Sequence, residues 1–118
     1  MRILLIEDDE FVLAYLKALL ERQQHTVVIK GSAEEGIHAF ESAEFDAVIT
    51  DMNLPGMSGT DVIKTIRRLE PKVRIIAISG DIQCDILLRS AGVFGADCTL
   101  RKPIHQERLL AALGTGLA

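Results

Sequence analysis

Five short apolar runs, each followed by a stretch of helical periodicity, constrain this chain more than any other feature. Ile3–Ile6, Val27–Ile29, Ala47–Ile49, Ile75–Ile78 and the shorter Cys98–Leu100 are continuously rather than alternately apolar. That pattern predicts strands covered on both faces, as in a parallel sheet. Between the first two runs, Phe11, Val12, Tyr15, Leu16, Leu19 and Leu20 recur at helical spacing as one apolar stripe. Ser32 followed by Glu35 has the capping-box form and opens a second helix, with Ile37 and Phe40 facing inward. Ser58 followed by Asp61 repeats that form, and Val62, Ile63, Ile66 and Leu69 supply a third stripe until Pro71 ends it. Asp81 is placed to cap a fourth helix, carrying Ile86 and Leu87 and ending at Gly92. Pro103 is placed to open a fifth, with Ile104, Leu109, Leu110 and Leu113 inside. Tyr15 and the four phenylalanines are expected in the core.

Five βα units in succession, joined by right-handed crossovers, give an α/β fold with helices on both faces of a parallel sheet. Five strands are too few to close a (β/α)8 barrel, so an open doubly wound sheet is expected. The 118 residues fit one domain, 1–118, at roughly 100–200 residues per domain, with no output domain and with residues 113–118 as a frayed tail.

Composition excludes several classes. A hydrophobic fraction of 48% with 25% charged residues is that of a folded globule, not of a disordered chain. No apolar run approaches the ~20 residues that cross a bilayer, and no basic segment precedes one, so neither a membrane span nor a signal peptide is expected. A net charge of -4 without a basic cluster argues against direct nucleic-acid binding. Cys84 and Cys98 fit neither a disulfide framework nor a zinc site; both read as reduced, packed thiols of a cytoplasmic protein.

Ligands of open α/β sheets bind beyond the carboxyl ends of the strands. The residues just past each strand are therefore informative. Glu7, Asp8 and Asp9 come after the first, Asp51 after the third and Ser79 after the fourth, and Lys102 lies just past the fifth. Taken singly, each has an ordinary reading: Asp9 or Asp8 as a helix cap, Asp51 as the start of the turn Asp51-Met52-Asn53-Leu54-Pro55-Gly56, Lys102 as a solvated charge. Together they converge on one edge. Two carboxylates ~4 Å apart repel by roughly 4 kcal/mol at an effective dielectric near 20, and one lysine does not neutralise such a cluster. An all-oxygen acidic site favours a hard divalent ion, Mg2+ above all with Mn2+ as the alternative, whose remaining positions suit phosphate oxygens. A carboxylate can itself accept a phosphoryl group, with a hydroxyl and a lysine serving its oxygens.

These residues carry a resemblance. The segments Ile3-Leu4-Leu5-Ile6-Glu7-Asp8-Asp9, Asp51-Met52-Asn53-Leu54-Pro55-Gly56-Met57-Ser58-Gly59, Ile78-Ser79-Gly80 and Lys102-Pro103 resemble, in order and spacing, the receiver domain of two-component response regulators. The resemblance implies a (βα)5 flavodoxin-like sheet of strand order 2-1-3-4-5. It implies a switch rather than an enzyme turning over an external substrate. The phosphoryl donor would be a phosphohistidine on a sensor histidine kinase or histidine phosphotransfer protein, and the output would be contacts with a downstream protein. Asp51 is then the phosphoacceptor. Asp8 and Asp51 ligate the metal directly, with the backbone carbonyl of Asn53, and Glu7 acts through water. Ser79, Gly80 and Lys102 serve the phosphoryl group, the Lys102–Pro103 bond is cis, and Lys102 pairs with Asp51 before transfer. Asn53 and Asp81 tune dephosphorylation. One position departs from the pattern: Thr99 stands where the family usually has Tyr or Phe, so switching is expected to run through Ser79 and the loop around residues 80–83. Two other readings are a degenerate receiver used only for docking and an aspartyl-phosphate hydrolase. All the site residues are present, which opposes the first. Asn53, where such hydrolases need an acid, opposes the second.

Overall fold

The computed structural model describes residues 1–80, 89 and 91–114. In chain order the elements are β1 (Arg2–Ile6), α1 (Glu10–Arg22), β2 (Thr26–Lys30), α2 (Ala33–Ser42), β3 (Ala47–Asp51), α3 (Gly59–Leu69) and β4 (Arg74–Ser79). They are followed by α4 (helical at 91–94), β5 (Cys98–Arg101) and α5 (Gln106–Leu113). All four strand pairings are parallel and the order is β2-β1-β3-β4-β5, as the resemblance implies.

Alternation along each strand builds two cores. Leu4 and Ile6 of β1, Val48 of β3, and Ile75 and Ala77 of β4 face α2 and α3, where they meet Phe40, Val62, Ile63 and Ile66. Ile3, Leu5, Ala47, Ile49, Ile76 and Ile78 face the other way, onto Leu16, Leu19 and Leu20 of α1 and Leu109 and Leu113 of α5. Both faces of the central strands are therefore buried, which is why their sequences show no polar alternation. The strand order reverses at β1, so a crevice opens between the carboxyl ends of β1 and β3.

Local signals place the helices, with some corrections. Asp9, Ser32 and Ser58 each cap their helix through a side-chain oxygen, as expected of these residues. Phe11 is 87% and Tyr15 46% exposed, because they sit one position, or about 100° of turn, behind the inward Val12 and Leu16. Leu69, the last residue of α3, projects past the core, and Phe94 is also exposed. Pro103 does not open α5, which starts at Gln106 after the N-cap His105. Helical structure continues through Gly92 to Phe94; Gly95, at φ +126, supplies the turn that a side chain would strain. Leu113 belongs to α5 and is buried, and Gly114 is its left-handed cap. Asp81, Cys84, Ile86 and Leu87 lie outside the described residues. Among the described residues, no helix is long and apolar enough to cross a membrane.

One close approach fixes the loop after β3. A Cβ on Gly59 would stand 2.6 Å from Met52 Cα and 2.8 Å from its sulfur. The start of α3 thus sits directly on the residue after Asp51. Gly59→Ala is expected to cost about 1–3 kcal/mol, since the obstacle is backbone; its urea midpoint against that of the parent is the check.

Candidate functional site

The carboxyl ends of β1, β3, β4 and β5 bring Glu7, Asp8, Asp51, Ser79 and Lys102 to one edge of the sheet. Glu7 directly follows β1 and is fully buried. Its Oε2 accepts hydrogen bonds from the amides of Asp8 (3.0 Å) and Asp9 (3.2 Å), folding the acidic turn over itself. Its Oε1 lies 2.6 Å from Lys102 Nζ. Asp9 is committed to α1: its Oδ1 accepts from the amides of Phe11 (2.8 Å) and Val12 (3.2 Å). Asp8, between these two, is exposed at the mouth of the crevice.

Asp51 ends β3 and is 4% exposed. Its Oδ1 is buried without a hydrogen-bond partner and stands 3.7 Å from Lys102 Nζ. Lys102 therefore pairs first with Glu7 and only loosely with Asp51. This reverses the pairing that the resemblance implies, because Glu7 is the more deeply buried carboxylate and reaches the ammonium directly. The lysine is placed by its backbone as well as its charge. Its amide donates to Ser79 O (2.8 Å), and a Cβ on Gly80 would press within 3.1 Å of its Cδ. Gly80 thus makes room for the lysine stem. Ser79 is fully buried beside it. Asn53 is exposed in the loop after β3, and Thr99 is exposed on β5, paired with Ala77. The Lys102–Pro103 bond is cis.

The electrostatics derive from burial. Burial, the largest influence, pushes the Glu7 carboxyl above its ordinary range; Asp51 adds to this, and Lys102 opposes it. Lys102 is raised despite its own burial, because the Glu7 hydrogen bond and the charges of Asp51, Glu7 and Asp9 outweigh it. Carboxylate oxygens of Glu7, Asp8 and Asp51 all lie within 4.8 Å of one another. A single ammonium against this group leaves negative charge uncompensated. That imbalance, the unpartnered Asp51 oxygen and the all-oxygen donor set fit a hard divalent cation.

Two tethers have no sequence signature. The Tyr15 hydroxyl donates to Ile104 O (2.9 Å), joining α1 to the segment after Lys102. Arg67, on the last turn of α3, bonds the loops that lead into β4 and β5. Each depends on a neighbour far along the chain, and a lone Tyr or Arg on a helix gives no hint of one.

The family model of the response regulator receiver domain matches residues 3–114. The cell cycle response regulator CtrA of Brucella ovis is 35% identical over 113 residues, which make up 96% of this chain and 48% of that protein. The chain thus spans about half the length of the curated relatives it matches. Among solved structures, a response regulator receiver domain protein from Clostridium thermocellum is similar with a TM-score of 0.89 at 32% identity, over 98% of this chain and 93% of its own. A response regulator protein from Burkholderia pseudomallei, solved with a phosphorylated aspartic acid, calcium ion and citrate, has a TM-score of 0.85 at 30% identity, over 95% of this chain and 65% of its own. Sequence, strand order and the acidic crevice agree: the chain belongs to the response regulator receiver domains, the phosphorylation-signalling modules of two-component systems.

Proposed function

We propose that Asp51 accepts a phosphoryl group from a phosphohistidine of a sensor histidine kinase or histidine phosphotransfer protein, and that the phosphorylated chain signals through protein contacts. The observation that carries this is the buried Asp51 carboxylate, with one oxygen unpartnered, facing an acidic pair and a lysine. An Asp51 oxygen attacks phosphorus, the phosphorus–nitrogen bond of the donor breaks, and the imidazole nitrogen leaves with the bonding pair. Lys102 is proposed to pair with one phosphoryl oxygen and Ser79 to hydrogen-bond another.

Asp8, Asp51 and the Asn53 carbonyl are the proposed direct holders of Mg2+, with Mn2+ as a substitute. Glu7, whose oxygens already face Lys102 and two backbone amides, acts at one remove. Bound there, the ion supplies charge neutralisation between the carboxylates and the incoming phosphoryl oxygens. The phosphorylated aspartic acid and calcium ion of the Burkholderia protein support the same chemistry here. Asn53 and Asp81 are proposed to set how readily water attacks the phosphoryl group, without turnover of any external substrate. With Thr99 small and exposed, the switch is proposed to pass through Ser79 and the loop after it.

Intact-protein mass after incubation with acetyl phosphate and Mg2+ tests this reading. One added phosphoryl group is expected, labile to hydroxylamine and absent without metal or in Asp51→Asn. The same variant is expected to melt no lower than the parent. Its lost attraction to Lys102 and lost repulsion from Glu7 are each roughly 4 kcal/mol at an effective dielectric near 20 and nearly cancel. What remains is relief from burying a carboxylate. A wild-type chain that gains no mass and binds no beryllofluoride would remove the assignment of Asp51.

A further inference from the structure

We propose that Tyr15 is a positioning residue for Lys102, acting through its hydroxyl bond to the segment that carries the lysine. The inference rests on the reading of Lys102 as the phosphoryl-site lysine. A lysine head on a flexible four-carbon stem has much rotamer freedom to lose, so its placement depends on how firmly its backbone is held. On the sheet side the hold is clear: Arg101 pairs with Ser79 in the β4–β5 ladder, and the Lys102 amide donates to Ser79 O at 2.8 Å. On the far side comes Pro103, which has no amide to donate. Ile104 is next, and its carbonyl accepts the Tyr15 hydroxyl at 2.9 Å across 89 residues of sequence.

The helix that supplies this bond is the same one that begins at the acidic turn. Tyr15 lies in the second turn of α1, whose N-cap is Asp9, and the amides of Asp8 and Asp9 are held by Glu7. The first two turns of α1 thus link the acidic turn, at the N-cap, to the lysine segment, through Tyr15. Tyr15 is half out of the core, and its hydroxyl reaches a loop carbonyl.

Tyr15→Phe deletes the bond and keeps the ring. The direct test is the side-chain ammonium resonance of Lys102 by NMR, in metal-free protein without phosphodonor. In the parent a distinct, slowly exchanging signal is expected from the Glu7 pair. In Tyr15→Phe, solvent exchange of that signal is expected to be about three- to tenfold faster, the factor one hydrogen bond of ordinary strength controls. An unchanged signal overturns the proposal, whether or not the chain accepts phosphate. The second arm is a double-mutant cycle on the acetyl phosphate rate. Tyr15→Phe is expected to slow the parent about three- to tenfold and to have no effect in a Lys102→Ala background. Equal slowing in both backgrounds would mean that Tyr15 acts on general stability instead, and would also overturn the proposal.

Discussion

Arg67→Ala is expected to lower the stability of this chain by about 2–4 kcal/mol, although Arg67 lies at the opposite end of the sheet from the acidic crevice. Its guanidinium donates to Gly95 O through Nε (3.1 Å) and one terminal nitrogen (2.6 Å). The other terminal nitrogen donates to Pro71 O (2.9 Å) and Val73 O (2.6 Å). A last bond, at 2.8 Å, goes to Asp97, whose same oxygen accepts the Ile75 amide at 2.8 Å. One side chain thus stitches α3 to the loops that deliver β4 and β5, and truncation leaves three carbonyls and a carboxylate to be rehydrated. For a chain of this size the loss corresponds to a melting point lower by roughly 8–15 °C. Arg67→Lys is expected to recover little of it, since an ammonium cannot reproduce the planar fork. An unchanged melting point would mean that water replaces every one of these bonds without cost.

The same cluster gives a pH signature. Burial, the largest influence on Asp97, pushes its carboxyl up, but the Ile75 amide, the Arg67 bond and the charges of Arg67 and Arg74 together hold it below its ordinary 3.8. A carboxyl depressed by folding stabilises the native state above its unfolded value and loses that contribution as pH falls through its folded value. The gap between parent and Arg67→Ala should therefore be constant near neutrality and narrow only below about pH 3.8.

Arg67 also marks where the sequence stops being informative. The strands are legible because Ile3 to Ile6 and Ile75 to Ile78 are apolar at every position, and only a sheet covered on both faces asks for that. The crevice is legible because topology alone sends strand ends to one edge, so Glu7, Asp8, Asp51, Ser79 and Lys102 can be grouped without knowing a distance. What topology cannot supply is which groups touch. Lys102 prefers Glu7 to Asp51 by 1.1 Å, the difference between 3.7 and 2.6 Å, and that choice is made by the depth of Glu7 and by the backbone on either side of the lysine. Phe11 and Tyr15 look like core residues in the sequence because an apolar stripe is wider on a helical wheel than the face that the sheet covers. Pro103 looks like the start of α5 because proline suits a first helical turn; here it comes after a cis bond and the helix waits for Gln106.

Lys102→Met should then separate the role of the lysine as counter-ion to Glu7 from its proposed role as partner of the phosphoryl group. Phosphorylation by acetyl phosphate is expected to fall about 100- to 1000-fold, the usual cost of removing one preorganised donor from a developing charge. Stability should respond differently with pH. Glu7 already titrates above its ordinary 4.5, chiefly through burial, and Lys102 is what restrains it. A carboxyl raised by folding contributes fully below its unfolded value, and that contribution fades as pH rises through its folded value. Without the lysine the folded value climbs further, so the variant should match the parent near pH 4.5 and fall progressively behind it as pH rises. Mg2+ should then raise the melting point of the variant more than that of the parent. A divalent ion held by Asp8 and Asp51, with Glu7 at one remove, would replace the missing positive charge, and ligands that bind only the native state stabilise it in proportion to their occupancy. If Mg2+ stabilised neither protein, the three carboxylates would not be an ion site, and their crowding would have to be relieved by protonation alone.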